Sequence, residues 1–267
     1  MTAPLLEVDS LALSFGGIDA LTDVSLSVPQ GALVSIIGPN GAGKTSLLNC
    51  ISGRYRSKRG RIRFAGHDLT RLSPSARAAH GISRTFQNLA LFSHLSVIDN
   101  ILIGRHRRFS PNVLLDGLFW GPSRRREVEA REEVEAIIDL LELQPLRHQI
   151  AGTLAYGQQK KIELARALAM QPQLLLLDEP MAGMTLTEKE DMAKYIVYLN
   201  RTAGITIVMI EHDMRVIMDL SEDITVLSFG KVIARGTPDE VMADPQVQRS
   251  YLGDPQMFDS IAEGRAQ

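Results

Sequence analysis

The chain has 267 residues, with 29 Lys and Arg against 31 Asp and Glu and a net charge of -2. That length suits one large α/β unit with an added subdomain, and the charge balance lacks the basic excess of a nucleic-acid binder. The one cysteine, Cys50, cannot form an internal disulfide, no Cys/His cluster has zinc-ligand spacing, and a reducing, cytoplasmic setting is expected. No apolar run approaches the roughly 18 residues that a membrane span needs. Residues 1–43 contain no Lys or Arg for a signal-peptide n-region, so the expected protein neither crosses a membrane nor is exported by that route.

Leu6, Val8, Leu11 and Leu13, then Val24, Leu26 and Val28, alternate with polar residues on either side of Gly16 and Gly17. This pattern predicts antiparallel strands with one wet face. Leu33 to Ile37 is a β-branched apolar run, and Lys44 to Ile51 can be helical. Between them, Gly38-Pro39-Asn40-Gly41-Ala42-Gly43-Lys44-Thr45 has the phosphate-loop pattern, in the strand-then-helix context that the pattern requires. Its glycines let successive N–H groups turn toward bound phosphates, and the helix N-terminus adds partial positive charge. Lys44 is expected to reach the β- and γ-phosphates of ATP, the Thr45 hydroxyl to ligate Mg²⁺, and Ser46 to add a further phosphate donor. Cys50, on the helix that follows, reads as a small buried thiol.

Gln87 follows the segment Ile82 to Phe86 and carries an uncharged side chain able to touch both Mg²⁺ and water. From about residue 89 to 158 the pattern is helical: Val134, Ile137, Ile138 and Leu141 fall on one face, and Pro145 is expected to end that helix. Arg105, Arg107, Arg108, Arg124, Arg125 and Arg126 bracket Leu114, Leu115, Leu118, Phe119 and Trp120. Either a basic amphipathic patch near an anionic membrane or a solvated loop with an apolar plug accounts for them. Leu154-Ala155-Tyr156-Gly157-Gln158-Gln159 then leads into a second helix whose N-terminus is ready for an anion. This serves either a second ATP or no ligand at all, as an ordinary glycine loop.

Leu174 to Leu177 reads as a buried strand, ending on Asp178 and Glu179 where ligands of parallel sheets collect. Asp178 is expected in the Mg²⁺ shell, and Glu179 is expected to orient and deprotonate the attacking water. A second buried run, Ile205 to Ile210, leads to His212, a candidate γ-phosphate contact. Thr237-Pro238-Asp239-Glu240 starts a short helix. Apolar strands separated by helical stretches make this an α/β chain with a mostly parallel sheet.

In their order, Gly38 to Thr45, Gln87, Leu154 to Gln158, Leu177-Asp178-Glu179-Pro180 and His212 resemble the ATP-binding subunits of ABC transporters, across nearly the whole chain. The resemblance implies a P-loop NTPase (RecA-like) core with an antiparallel N-terminal β subdomain and an inserted α-helical subdomain. On that pattern residues 1–88 hold the β subdomain and the first part of the core, 89–158 the helical signature subdomain, 159–236 the rest of the core, and 237–267 a C-terminal helical extension. It further implies head-to-tail pairing with a second ATP-binding subunit, identical or paralogous. Each ATP then lies between one phosphate loop and the partner's signature loop, so that Ala155, Tyr156, Gly157 and Gln158 act on the partner's ATP. Phe15 would stack on adenine; its plainer reading is a half-buried strand aromatic.

Transmembrane permease subunits, with Asn88 to Asn100 receiving their coupling helix, and an extracytoplasmic solute-binding protein are the other implied partners, at the cytoplasmic face of the membrane and without nucleic acid. The wording Leu-Ala-Tyr-Gly-Gln-Gln looks like the branch serving branched-chain amino acid importers. An exporter ATPase, such as one for lipopolysaccharide extraction, and a soluble ABC-type ATPase are the alternatives. Two departures stand out. Ala155 replaces the usual Ser, and Met181 to Thr185 replaces a loop where the family prefers Leu followed by Asp or Asn.

Overall fold

In the computed structural model, which describes residues 4–86, 89–105 and 122–251 with the side chains of 122–127 and 251 apart, the alternating segments near the start become a hairpin. Strands β1 (Pro4–Phe15) and β2 (Ile18–Pro29) pair antiparallel, Leu6 opposite Val28 and Leu13 opposite Leu21, and turn at Gly16 and Gly17. With β4 (Arg59–Phe64) and β5 (His67–Asp68) they form a four-stranded sheet in the order β2-β1-β4-β5.

The second sheet holds β3 (Leu33–Ile37), β6 (Ile82–Arg84), β7 (Leu174–Asp178), β8 (Thr206–Ile210), β9 (Asp223–Ser228) and β10 (Lys231–Gly236), in the order β10-β9-β3-β8-β7-β6. Every pairing in it is parallel except β10 on β9. Strands β3, β7 and β8 are buried at every residue, which explains why they read as continuous apolar runs rather than alternations.

Side chains still leave these strands on alternate sides. Val34, Ile36, Leu174, Leu176, Val208 and Ile210 join a core with the four-stranded sheet and helix α1 (Lys44–Ile51). Leu33, Leu175, Leu177, Ile207 and Met209 join another, built with helices α3 (Val97–Ile103), α4 (Pro122–Leu140), α5 (Tyr156–Leu168) and α6 (Leu186–Arg201). A smaller cluster packs Ile37, Ile224 and Val226 against α7 (Met214–Leu220) and α8 (Pro238–Ala243). No helix among the described residues is long and apolar enough to cross a membrane.

The predicted face of α4 is buried at Val134, Ile138 and Leu141, but Pro145 does not end the helix. It ends at Leu140, because Glu142 turns into the left-handed region (φ 56°) and Leu143 N–H donates back to Ile138 O at 2.9 Å. This is a Schellman closure made without glycine. Pro145 instead lies in the short 3₁₀ turn Gln144–Leu146.

The far end of α1 is closed by Arg77, from α2 (Pro74–Ala79). Its buried guanidinium donates to Cys50 O (2.5 Å), Ile51 O (2.9 Å), Thr70 O (3.1 Å) and Leu72 O (3.2 Å). These include last-turn carbonyls that a helix leaves unpaired, at its negative dipole end. Arg77→Ala is expected to lower the unfolding free energy by about 3 kcal/mol, measured by urea denaturation. A loss below about 0.5 kcal/mol would mean that water replaces the guanidinium. Cys50 is buried, as expected, and burial pushes its thiol up to about 11.

Candidate functional site

The phosphate loop leaves β3 at Ile37 and enters α1 at Lys44. Gly38 (φ 148°) lies so close to β9 that a Cβ would come within 2.0 Å of Leu227 O. Gly43 (φ 102°) caps α1, and a Cβ there would lie 2.6 Å from Ala20 O. Gly230 N–H donates to Ala42 O at 3.0 Å and Thr22 N–H to Gly230 O at 2.7 Å, so β2 and the β9–β10 turn brace the loop on both sides. Asn40 and Gly41 stay exposed at its crest, while Pro39, Thr45 and Ser46 are half-buried. The buried Lys44 ammonium donates to Gly38 O (2.5 Å) and Pro39 O (3.2 Å). Burial pulls its pKa below the ordinary lysine value, opposed by the charges of Glu179 and Asp178.

The acids arrive from neighbouring strands. Asp178 is in register with Ile210 of β8, which is in register with Ile36 of β3, so all three strand ends open beside the loop. Burial pushes the Asp178 carboxyl above its ordinary range, and Arg84 pulls it back through a 2.8 Å ion pair to Oδ2. Arg84 also donates to Asn49 Oδ1 (2.7 Å) and Ser52 Oγ (3.0 Å), which ties β7 to the phosphate-loop helix and its end. The other carboxylate oxygen, Asp178 Oδ1, is buried with no hydrogen-bond partner. A hard divalent cation or a water bound to it satisfies such an oxygen, so the donor set fits Mg²⁺.

Glu179 follows in the left-handed region (φ 51°), a conformation that costs a side-chain-bearing residue about 1 kcal/mol. The turn is fixed by Glu179 N–H donating to Ile210 O (2.9 Å) and by Lys160 Nζ donating to Glu179 O (3.4 Å). It aims the carboxylate at His212, whose Nε2 lies 2.9 Å from Glu179 Oε1. Beneath this pair the buried Glu211 accepts from Met181 N–H (2.8 Å) and His212 N–H (3.0 Å), so one carboxylate joins the two loops. Burial pushes the Glu211 carboxyl upward.

The loop at Ala155 to Gln158 opens helix α5 with half of a capping box. Ala155 has no side-chain acceptor, but its N–H donates to Gln158 Oε1 at 3.2 Å. A Cβ at Gly157 would lie 2.2 Å from Glu188 Oε1, so any side chain there has to displace that carboxylate. Tyr156 is 43% exposed, and its ring lies against Gly183 and under Lys160. Thr185 is the N-cap of α6, forming a full capping box with Glu188. Phe15 stands exposed at the hairpin tip, edge-on to Tyr55 with ring centroids 5.1 Å apart.

The family model described as ABC transporter matches residues 21–182. The chain belongs to the ABC transporter family. This ABC cassette also matches, over residues 231–255, the family described as branched-chain amino acid ATP-binding cassette transporter. It is 40% identical over 255 residues to the high-affinity branched-chain amino acid transport ATP-binding protein BraF of Pseudomonas aeruginosa, covering 95% of this chain and 100% of that one. Identity to the LivG protein of the same description from Escherichia coli is 38% over 255 residues, with the same coverage. Among solved structures, the ADP conformation of an ATP-binding cassette of an ABC transporter matches with a TM-score of 0.82 at 33% identity, covering 95% of this chain and 100% of that chain. A nucleotide-free cassette matches with a TM-score of 0.82 at 32% identity, covering 94% and 100%. The fold is therefore the P-loop NTPase fold of an ABC cassette, and the chain is an ATPase subunit.

Within this cassette Lys44, Asp178, Glu179 and His212 gather where the strands end, as their sequence positions predicted. Gln87 lies outside the described residues, as do Asn88 and most of the Arg-rich 105–126 segment. The residues flanking Gln87 are held by α5: Phe86 N–H donates to Glu163 Oε1 (2.9 Å) and Arg166 donates to Ala90 O (2.5 Å). Arg105 is buried and donates to Ala169 O at 3.0 Å, so this member of the Arg-rich group packs on the end of α5. Arg84, Lys160 and Glu211 escaped the reading of the sequence. Only Glu211 carried a signal, a charge directly after an apolar run, since such residues are buried only when paired.

Proposed function

We propose that this cassette binds ATP on residues Gly38 to Ser46, with Phe15 stacking on adenine, and hydrolyses it with Glu179 as general base. Thr45, Asp178 and Gln87 hold Mg²⁺, which when bound offsets the negative charge of the β- and γ-phosphates. Ala155, Tyr156, Gly157 and Gln158 close over the ATP of a second ATP-binding subunit. The observation that carries this reading is the Glu179 carboxylate 2.9 Å from His212 Nε2, beside the buried Asp178 and across from the phosphate loop.

In the reaction Glu179 takes a proton from water as its oxygen attacks the γ-phosphorus. The bond from that phosphorus to the β–γ bridging oxygen breaks, leaving ADP and phosphate. Lys44 exchanges the Gly38 and Pro39 carbonyls for phosphate oxygens, and the His212 ring N–H turns from Glu179 to the γ-phosphate. The work of the cycle is the opening and closing of the paired subunits.

The cargo in this proposal is a branched-chain or related amino acid, imported through transmembrane permease subunits and delivered by an extracytoplasmic solute-binding protein. Similarity to relatives so named and the Leu154 to Gln159 wording support it. The cassette works peripherally at the cytoplasmic membrane face. Residues 89–158 are its signature subdomain, between the core segments 1–88 and 159–236, with 237–267 as an extension.

Proteoliposomes holding the permease subunits and this cassette are expected to accumulate radiolabelled leucine only with ATP and a solute-binding protein outside. The Lys44→Ala cassette is expected to abolish uptake and to weaken nucleotide binding by about tenfold to a hundredfold, the worth of a charged hydrogen-bond donor. ATP hydrolysis without amino acid uptake would overturn the cargo, and full nucleotide affinity in Lys44→Ala would overturn the site.

A further inference from the structure

Beyond the end of α1, the segment Arg56 to Gly60 lines a cleft of about 420 Å³ together with Thr70 and Arg71. That volume is within the range of about 300–1,000 Å³ typical of small-molecule sites. Four cations line the cleft and no carboxylate does. Among the described residues none of the four enters an ion pair.

The adjoining sheet sets its other arginines opposite acids, although among the described residues these form no ion pair either. Arg61 and Arg63 lie on the same outward face of β4 as Arg59, and their partners across β1 are Asp9 and Glu7. Asp68 is near them too: hydrogen bonds from Thr70 hold its carboxyl below the ordinary range, and the Arg61 and Arg63 charges add to this. Arg59 is opposite Ala12 instead. In a chain with a net charge of -2, positive charge is thus concentrated at one cleft, with the Asp68 carboxylate, bound by Thr70, at its edge.

The Arg56 to Gly60 segment is held in place. Lys58 N–H donates to Ala12 O at 2.8 Å, and Gly60 (φ 90°) packs so closely on β1 that a Cβ would lie 2.5 Å from the Asp9 and Ser10 carbonyls. Arg56, Lys58, Arg59 and Arg71 are exposed; like charges gathered around one cleft repel, and an anion among them relieves the repulsion. Planar guanidinium groups match phosphate oxygens in pairs.

We propose that this cleft is a second anion site, apart from the phosphate loop, which takes a small group bearing two or more phosphate charges through Arg56, Lys58, Arg59 and Arg71. A soluble polyphosphorylated compound and a phospholipid head group share that chemistry, and the test separates them.

Calorimetric titration of the full-length Lys44→Ala protein with inorganic tripolyphosphate is expected to reveal a saturable site even with the phosphate loop impaired. Adding Arg56→Ser, Arg59→Ser and Arg71→Ser together should weaken it by about thirtyfold, as losing several charge-assisted contacts does. The control pair Arg61→Ser and Arg63→Ser should leave it unchanged, and all variants should keep the parent melting temperature. In an otherwise unaltered chain the triple change should leave ATP turnover unchanged, so failure here is distinguishable from failure of the ATPase reading. Flotation with phosphatidic acid vesicles that is lost in the triple variant assigns the site to a lipid head group. Tripolyphosphate binding without flotation assigns it to a soluble ligand. No saturable binding, or equal weakening by the control pair, overturns the proposal.

Discussion

Glu179→Gln is expected to lower ATP turnover by about a hundredfold to ten-thousandfold, the range for loss of a general base. The substitution keeps the shape of the side chain and an oxygen for His212 but removes the ability to accept a proton. The backbone at this position is fixed by bonds to Ile210 and Lys160, so the amide stays where the carboxylate was. Nucleotide affinity is expected to hold, because in the proposed reaction the residue acts on the attacking water rather than on the phosphate grip. Paired subunits should then accumulate around unhydrolysed ATP, visible as a dimer peak on size exclusion. Normal turnover in this variant would exclude Glu179 as the base.

The second large effect is expected at Arg84. Arg84→Met leaves the Asp178 carboxylate buried without its counter-charge, and breaking a buried pair from one side costs about 3–5 kcal/mol. The two side chains are 6% and 1% exposed, so solvent screening does little to reduce this. The pH dependence has a definite sign. Burial already raises the Asp178 pKa in the folded chain, and losing Arg84 raises it further. The folded state then holds a proton that the unfolded state releases, and stability falls as pH rises from the ordinary carboxylate range to the raised value. Below that window the charge is gone from both states and the deficit shrinks. Denaturation at acidic and neutral pH measures the slope. Adding Asp178→Asn should recover part of the loss at neutral pH, whereas a deficit independent of pH would place the cost in the Asn49 and Ser52 contacts.

The residues that sequence reading located share a property. Gly38 to Thr45, Asp178, Glu179 and His212 each adjoin a continuous apolar run, and in a parallel sheet such runs are buried strands whose ends gather the chemistry. Arg84 had no such flag. It lies in the short strand Ile82–Arg84, and its importance comes from Asp178 and Asn49, which are distant in sequence. The antiparallel edge strand β10 was also missed: it pairs with β9 through the two-residue turn Phe229-Gly230, and Phe229 takes a left-handed backbone (φ 45°) where such a hairpin is expected to carry asparagine, aspartate or glycine. The helix end at Glu142 was missed because a left-handed residue there is expected to be glycine or asparagine.

Thr185 is a different case. Set against the family it read only as a departure from the preferred acid or amide. Thr185-Leu186-Thr187-Glu188 has the same cap spacing as Thr237 to Glu240, and both form capping boxes. The local pattern was legible and was obscured by the comparison.

The closeness of Gly157 to Glu188 ties the loop proposed to serve one nucleotide to the stretch that leaves Glu179, the proposed base for the other. A methyl group at position 157 would have to move the glutamate carboxylate that accepts from Thr185, and so loosen the start of the helix behind it. If the loop serves the partner's nucleotide as proposed, damage aimed across the subunit boundary would also strike at home, and a pair with one altered member would have no wholly intact half.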